Sequence, residues 1–195
     1  LNCHLVFGSA TPSIFAFNVL KAGGIGQCLD IDDPDIYKHF TFDELYALWK
    51  YDDVKTYNSM GPSVENKRIK DKIGILILRD IIEKADEALA GGHKAADLRF
   101  GHDSGLAPLI ALLRLEGFEK EQHMADVTEG LWYGFQGMPM GSNLQIIFYR
   151  NKKGEIIAKI LRNEKETTIP AVPSYYGPYY KWSDLRTYFL SLVNG

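Results

Sequence analysis

Apolar residues recur every three or four positions along several stretches of the chain, a spacing that places them on one face of a helix. Start signals are Pro12 at a first helical position and Thr41 followed three residues later by Glu44, the pattern of a capping box. The segment 54–64 has the composition of a loop. The pattern predicts helices from Pro12 to Gly23–Gly24, from Thr41 to about Tyr51, from Lys67 to Leu89 and from Ser104 to Leu115, and a final helix that Trp182–Ser183–Asp184 would cap.

Other stretches have the residue types and lengths of strands. Residues 96–101 are short, follow the glycine pair Gly91–Gly92 and precede a helical pattern, so we expect a strand there. Residues 143–149 and 155–161 are rich in β-forming side chains and are joined by Asn151–Gly154, whose composition suits a hairpin turn. The sequence therefore predicts one strand–helix unit and one antiparallel hairpin.

The balance of these elements indicates an α/β protein that shows as α+β within this chain. We expect a helical segment over residues 1–92 and an α/β region over residues 93–195. The predicted strands are too few for a complete doubly wound sheet. Either the chain is a small α+β protein, or it is part of a larger one whose other strands lie outside it.

Composition narrows the class of protein. Of the 195 residues, 46% are hydrophobic and 24% are charged, with a net charge of −3. This is the composition of a globular domain, and it argues against a nucleic-acid-binding surface spread over the whole chain. The longest apolar runs, 109–113 and 73–78, are far shorter than the ~20 residues of a membrane span. Cys3 and Cys28 could pair or could both be free.

Two further expectations concern the start of the chain. The N-terminus has no basic region leading into an apolar stretch, so no signal peptide is visible, although a precursor could have carried one. The first residue is Leu1 and not methionine, from which we expect a processed or truncated chain.

The pair His102–Asp103 lies where the predicted strand ends and the next helix begins. Ligands of open α/β sheets bind at such strand ends, and the first turn of a helix favours an anion. An imidazole there can bind phosphate oxygens, and a neighbouring carboxyl group can protonate a leaving group. The alternative is purely structural: Asp103 or Ser104 caps the helix, and His102 is a turn residue. The pattern alone leaves both interpretations open.

Four segments carry a family resemblance. Leu98–Leu113, which contains the run Phe-Gly-His-Asp, resembles the second signature of the histidine acid phosphatases, a family that includes phytases and multiple inositol polyphosphate phosphatases. Phe42–Lys50, Pro139–Ile146 and Tyr179–Leu185 resemble, in the same order, segments of the helical cap and C-terminal part of bacterial members. The resemblance implies a cap segment followed by the C-terminal part of a phosphoglycerate mutase-like α/β domain.

The resemblance also implies roles for three residues. His102 would bind phosphate, Asp103 would be the proton donor, and Ser104 would be a substrate-binding residue. Inositol polyphosphate phosphatases usually have His-Ala-Glu here, so His-Asp favours the acid phosphatase pattern. The family's R-H-G-x-R-x-P motif, with its nucleophilic histidine, is absent, because none of the seven arginines is followed by histidine.

The resemblance further implies the setting of the reaction. The substrate would be a small phosphomonoester, no metal or organic cofactor would be needed, and an N-terminal part of the same enzyme would be missing from this chain. We therefore expect the chain to be inactive by itself. A periplasmic or secreted location would follow from the family.

A competing hypothesis is a non-enzymatic module that keeps the phosphatase-like fold and binds a ligand or carbohydrate. Tyr175, Tyr176, Tyr179 and Tyr180, together with Trp182, could form a carbohydrate-stacking platform, although their interleaving with proline and glycine is more typical of a loop packed on a core. The other histidines have no second histidine at helical spacing, so the sequence does not support a zinc site on one helix.

Overall fold

Helices dominate the first half of the chain, and a small antiparallel sheet lies in the second. The computed structural model describes residues 12–28, 35–91, 95–129 and 134–195. Its elements are the α-helices Pro12–Gly24 (α1), Phe42–Met60 (α2), Asp71–Leu89 (α3), Asp103–Leu113 (α4), Gly134–Gly137 (α5) and Trp182–Asn194 (α6), the strands Leu144–Arg150 (β1), Ile156–Arg162 (β2), Lys165–Glu166 (β3) and Tyr179–Lys181 (β4), and the 3₁₀ helices Gly26–Cys28, Ile36–His39 and Met124–Glu129.

The chain divides into two compact units, Leu1–Asp52 and Asp53–Gly195. Within the second unit, α3 packs against α4 and α6. The predicted helical segment 1–92 and α/β region 93–195 describe parts of an intact phosphatase, so this organisation stays a prediction.

The first unit contains α1 and the start of α2, as the sequence predicts. The Thr41 N–H donates to Glu44 Oε2 at 2.8 Å, and the Glu44 N–H donates to Thr41 Oγ1 at 3.3 Å, which is a reciprocal capping box. These hydrogen bonds from the Thr41 backbone and hydroxyl hold the pKa of Glu44 below its usual value. Lys21 of α1 forms an ion pair with Asp52 at 2.9 Å. The capping-box prediction is confirmed.

Helix α2 continues to Met60, so the predicted end at about Tyr51 is wrong. The reason is tertiary: Tyr57 is fully buried, and its hydroxyl donates to the Pro62 carbonyl at 2.6 Å and accepts from the Gln122 N–H at 2.9 Å. Burial raises the pKa of Tyr57 to about 12. Contacts with a segment 65 residues away therefore stabilise a helical turn whose composition is that of a loop.

Helix α3 begins at Asp71, and not at Lys67 as predicted. Lys67 and Arg68 have positive φ angles of 48° and 57°, which an α-helix does not allow. The side chain of Asn66 accepts from the Arg68 N–H at 2.7 Å and so stabilises the turn that precedes the helix. The predicted C-terminal end at Leu89 is confirmed.

Helix α4 is the most buried helix of the described chain, because every residue from Ala107 to Leu113 is buried. It spans Asp103–Leu113 where the sequence predicts 104–115, and it ends at Arg114, which adopts the left-handed conformation. The backbone of α3 approaches it closely at Gly74, where a Cβ atom would lie 2.9 Å from the Pro108 carbonyl oxygen. A glycine thus allows the contact that fixes α4 against α3.

The predicted hairpin is confirmed. Strands β1 and β2 pair antiparallel in a register that sets Ile146 opposite Ile160, and the side chain of Asn151 accepts from two backbone N–H groups in the turn. Strand β4, which the sequence analysis does not predict, pairs with β2 and leads directly into α6. The predicted cap of α6 is wrong, because the helix begins at Trp182 and the residues expected to cap it, Trp182–Asp184, lie in its first turn. The N-cap residue is Lys181, whose side chain forms no capping hydrogen bond.

One predicted element is wrong: the structure has no strand over residues 96–101. The physical reason is the lack of a partner, because the four strands of the described sheet pair only with one another. The fold class is nevertheless confirmed as α/β, seen here as α+β. Among the described residues, no helix is both long and apolar enough to cross a membrane.

Candidate active site

His102 and Asp103 lie at the N-terminus of α4. His102 has an extended backbone (φ −113°, ψ 160°) and is the N-cap residue of the helix, while Asp103 is its first helical residue. The His102 carbonyl accepts from the N–H groups of Gly105 and Leu106 at 3.0 and 3.3 Å, which starts the helix. The side chains of His102 and Asp103 are 82% and 46% exposed, so both can reach a ligand in front of the helix.

The imidazole of His102 has one nitrogen turned towards the helix. Its Nδ1 atom accepts from the Ser104 N–H at 3.3 Å, and the same atom contacts Oδ1 of Asp103. A ring nitrogen cannot accept and donate at once. In the neutral ring Nδ1 caps the helix and Nε2 carries the hydrogen, whereas in the charged ring Nδ1–H donates to Asp103.

The N-terminus of α4 favours a negatively charged ligand. The first turn of a helix leaves backbone N–H groups without an intrahelical acceptor, and the aligned peptide dipoles give that end a partial positive charge. The Nε2–H of a neutral His102 would add a donor. A phosphate group in front of α4 would therefore meet backbone donors, an imidazole donor and the Asp103 carboxyl group together.

The segment that leads into His102 is held by ion pairs. Arg99 contacts Asp80 of α3 at 2.5 Å and Asp97 at 3.0 Å. Leu98 and Phe100 project into solvent, with exposed fractions of 76% and 94%. One side of the segment is thus fixed to α3, while its apolar side chains are uncovered.

The structure brings His102 and Asp103 together as the sequence predicts, but their chemical roles stay predictions. The contribution of Ser104 that the structure shows is its backbone N–H, which orients the imidazole. Sequence reasoning missed Asp80, because it lies on helix α3, 19 residues before Arg99, and no local pattern links the two. Among the described residues, no three His, Cys, Asp or Glu side chains form a group that could hold a metal ion.

The tyrosine-rich C-terminal loop divides into core and surface residues. Tyr180 and Trp182 are buried, and the Tyr180 hydroxyl accepts from the Ile169 N–H at 2.9 Å. Tyr175 and Tyr176 are exposed, and the Lys181 ammonium lies 4.9 Å from the Tyr175 ring centroid. Of the five aromatic residues, two are buried, Tyr179 is half-buried and two are exposed, which agrees with the loop packed on a core that the sequence favours over a carbohydrate-stacking platform.

No protein-family model matches the chain. No curated protein matches it either. Solved structures do match, and they define the class: the chain has the fold of part of a phosphatase. Three of the matching structures are those of the multiple inositol polyphosphate phosphatase of Bifidobacterium longum, solved with inositol hexasulfate, with phosphate and in the apo form.

The match covers most of this chain but only part of the bacterial enzyme. The complex with inositol hexasulfate gives a TM-score of 0.76 at 22% identity, over 87% of this chain and 37% of the other. The phosphate complex gives 0.79 at 21% identity, over 91% and 39%. The apo form gives 0.69 at 24% identity, over 77% and 33%. The resemblance seen in the sequence is thus confirmed as a shared fold, and this chain spans less than half of that enzyme.

Proposed function

We propose that this chain supplies the His-Asp part of the active site of a phosphomonoester hydrolase. The observation that carries the proposal is the exposed pair of His102 and Asp103 in front of the N-terminus of α4. The fold likeness to a phosphatase supports it. By the resemblance, the enzyme would be of the histidine acid phosphatase type and would act outside the cytoplasm, in the periplasm or after secretion.

In this proposal the two side chains have separate tasks. Nε2–H of His102 donates to a non-bridging phosphate oxygen, and the N-terminus of α4 offsets the negative charge. Asp103, in its protonated form, donates a proton to the oxygen of the departing alcohol. Neither residue is the nucleophile, since His102 Nδ1 is occupied by the helix cap and Nε2 is needed as a donor.

The nucleophile lies outside this chain in the proposed reaction. A histidine of the remaining part would attack phosphorus as the P–O bond to the alcohol breaks, and Asp103 would supply the proton to that alcohol. Water would then attack the phosphohistidine, releasing phosphate and restoring the histidine. The 195-residue chain alone should hydrolyse para-nitrophenyl phosphate no faster than buffer, because positioning and charge stabilisation at phosphorus are incomplete.

The test uses the full-length protein with two kinds of ester. Asp103→Asn keeps the shape of the side chain but cannot donate a carboxyl proton, so kcat should fall about 10²–10⁴-fold on alkyl phosphates and far less on activated phenyl phosphates. His102→Ala should lower kcat/KM similarly on both and weaken phosphate binding. Equal losses for Asp103→Asn on the two esters would remove Asp103 from the proton-donor role.

A matched control is available in α6. Asp184 is also an acidic residue in the first turn of an exposed helix end, so Asp184→Asn reproduces the loss of charge at a helix N-terminus. Asp184→Asn should leave kcat and kcat/KM unchanged on both esters. Robust hydrolysis by the isolated chain that disappears in His102→Ala would overturn the placement of the nucleophile outside it.

A further inference from the structure

Two carboxylates hold Arg99 a short distance before the candidate site. The NH1 atom of Arg99 lies 2.5 Å from Oδ2 of Asp80, and its Nε–H donates to Oδ1 of Asp97 at 3.0 Å. Arg99 precedes His102 by three positions, so the Cα atoms of these two residues are at most about 11 Å apart. A group of two negative charges and one positive charge therefore lies near the N-terminus of α4.

The guanidinium at the centre of this group is of the kind that binds phosphate. Arginine suits a phosphate group because its planar fork donates two parallel hydrogen bonds. At Arg99, however, two of the three guanidinium nitrogens already face carboxylates. All three side chains are partly exposed to water, so a dissolved substrate meets a net charge of −1 there.

This charge acts differently on esters with one phosphate group and on esters with several. A first phosphate group in front of α4 meets backbone donors and the positive end of the helix dipole. A second phosphate group of the same substrate would need a further cation. Arg99 is already neutralised, and the carboxylates of Asp80 and Asp97 repel an additional negative charge. These three side chains therefore favour a substrate with a single phosphate group.

We propose that Asp80 and Asp97 are specificity-determining residues, which withhold Arg99 from the ligand and favour esters with one phosphate group over esters with adjacent phosphate groups. The proposal rests on the proposed function, to which it adds the class of substrate. A merely structural role, in which the ion pairs only hold the segment against α3, would affect every ligand alike. The ratio between the two classes of ligand is thus the informative measurement.

Anion binding by the 195-residue chain tests the proposal without any turnover. Inorganic phosphate and pyrophosphate are titrated separately, and the amide signals of Asp103 and Ser104 at the N-terminus of α4 are followed by nuclear magnetic resonance. The wild-type chain should bind the two anions with similar affinity. In the double variant Asp80→Asn/Asp97→Asn, binding of pyrophosphate relative to phosphate should become about 3- to 10-fold tighter, because Arg99 is released.

Three further variants separate specificity from stability. Asp97→Asn keeps the Asp80 anchor and should shift the same ratio in the same direction by a smaller factor. Glu87→Gln is the matched control, because it removes a carboxylate from another surface ion pair of α3, with Lys84 at 2.9 Å, and it should leave the ratio unchanged. Adding Arg99→Gln to the double variant should abolish the gain.

The full-length protein gives the same ratio as kcat/KM on glycerol phosphate and on inositol hexakisphosphate. The double variant should raise kcat/KM on the second ester relative to the first by about 3- to 10-fold. Equal changes on both esters, an unchanged ratio of anion affinities, or a gain that persists after Arg99→Gln would each overturn the proposal. A ratio that shifts in the isolated chain, in a protein whose full-length form hydrolyses neither ester, would keep the specificity and reject the hydrolase, so the two failures are distinguishable.

Discussion

The close approach of α3 and α4 can be tested with a single methyl group. Gly74→Ala places a Cβ atom 2.9 Å from the Pro108 carbonyl oxygen and 3.1 Å from Leu112 Cδ2. The leucine side chain can shift, but the oxygen belongs to the backbone of a helix that is buried on most sides. The two helices must therefore move apart, and α4 carries His102 and Asp103 with it.

Two opposing effects set the magnitude. Alanine is favoured over glycine inside a helix by about 1 kcal/mol. Overpacking of a filled core costs about 1–3 kcal/mol, and we expect the upper part of that range because backbone atoms are involved. The net result is a loss of about 1–2 kcal/mol in the free energy of unfolding, or about 3–6 °C in Tm for a domain of this size.

The assay is urea unfolding of the 195-residue chain, followed by circular dichroism, with Gly105→Ala as the matched control. Gly105 also lies at the α3–α4 contact, but its Cβ would lie 3.4 Å from the flexible Ile77 Cδ1. Gly105→Ala should therefore be neutral or stabilise the chain by about 0.5–1 kcal/mol. A Gly74→Ala chain as stable as the wild type would refute the close contact between the helix backbones.

Two further predictions concern titratable groups. Partial burial opposes ionisation of Glu65, but hydrogen bonds from His123, Ser63 and backbone N–H groups lower its pKa to about 2. The ionised carboxylate should therefore stabilise the fold fully above pH ~4.5, and this stabilisation should disappear as the pH falls towards 2. Glu65→Gln should flatten that part of the stability profile measured by urea unfolding, and an unchanged profile would refute the prediction. For His102, long-range ¹H–¹⁵N correlation spectra of the isolated chain should show the Nε2–H tautomer of the neutral ring, and a dominant Nδ1–H tautomer would exclude the cap seen here.

Elements stabilised by local interactions could be predicted from the sequence. The capping box at Thr41 uses residues three positions apart. The hairpin turn at Asn151–Gly154 is closed by the side chain of Asn151, which accepts from the Glu155 N–H. The last turns of α2 could not be predicted, because they depend on Tyr57 reaching Gln122 across 65 residues. Strand β4 was missed for a similar reason, since its short sequence becomes a strand only by pairing with β2.

The candidate site likewise has local features that the sequence predicts and non-local features that it does not. The adjacency of His102 and Asp103 at a helix start is a local feature, so the sequence predicts it correctly. The anchoring of the preceding segment by Asp80 is not local, and no pattern indicates it. The strand predicted over residues 96–101 is wrong for this chain, because strand residues need a neighbour that the described residues do not supply.

The charges at the site explain why two interpretations of His102 and Asp103 agree with the same geometry. The N-terminus of α4 offers roughly half a positive charge, and a neutral imidazole adds a donor without net charge. Arg99, the arginine nearest in sequence, already forms ion pairs with Asp80 and Asp97, so little of its charge remains for a phosphate group. These groups together would not neutralise a doubly charged phosphate in front of α4. A helix cap needs nothing more, whereas phosphoryl transfer requires further cations and a nucleophile placed opposite. The observed geometry therefore meets the needs of a helix cap, whereas the proposed active site would need cations and a nucleophile that these groups do not supply.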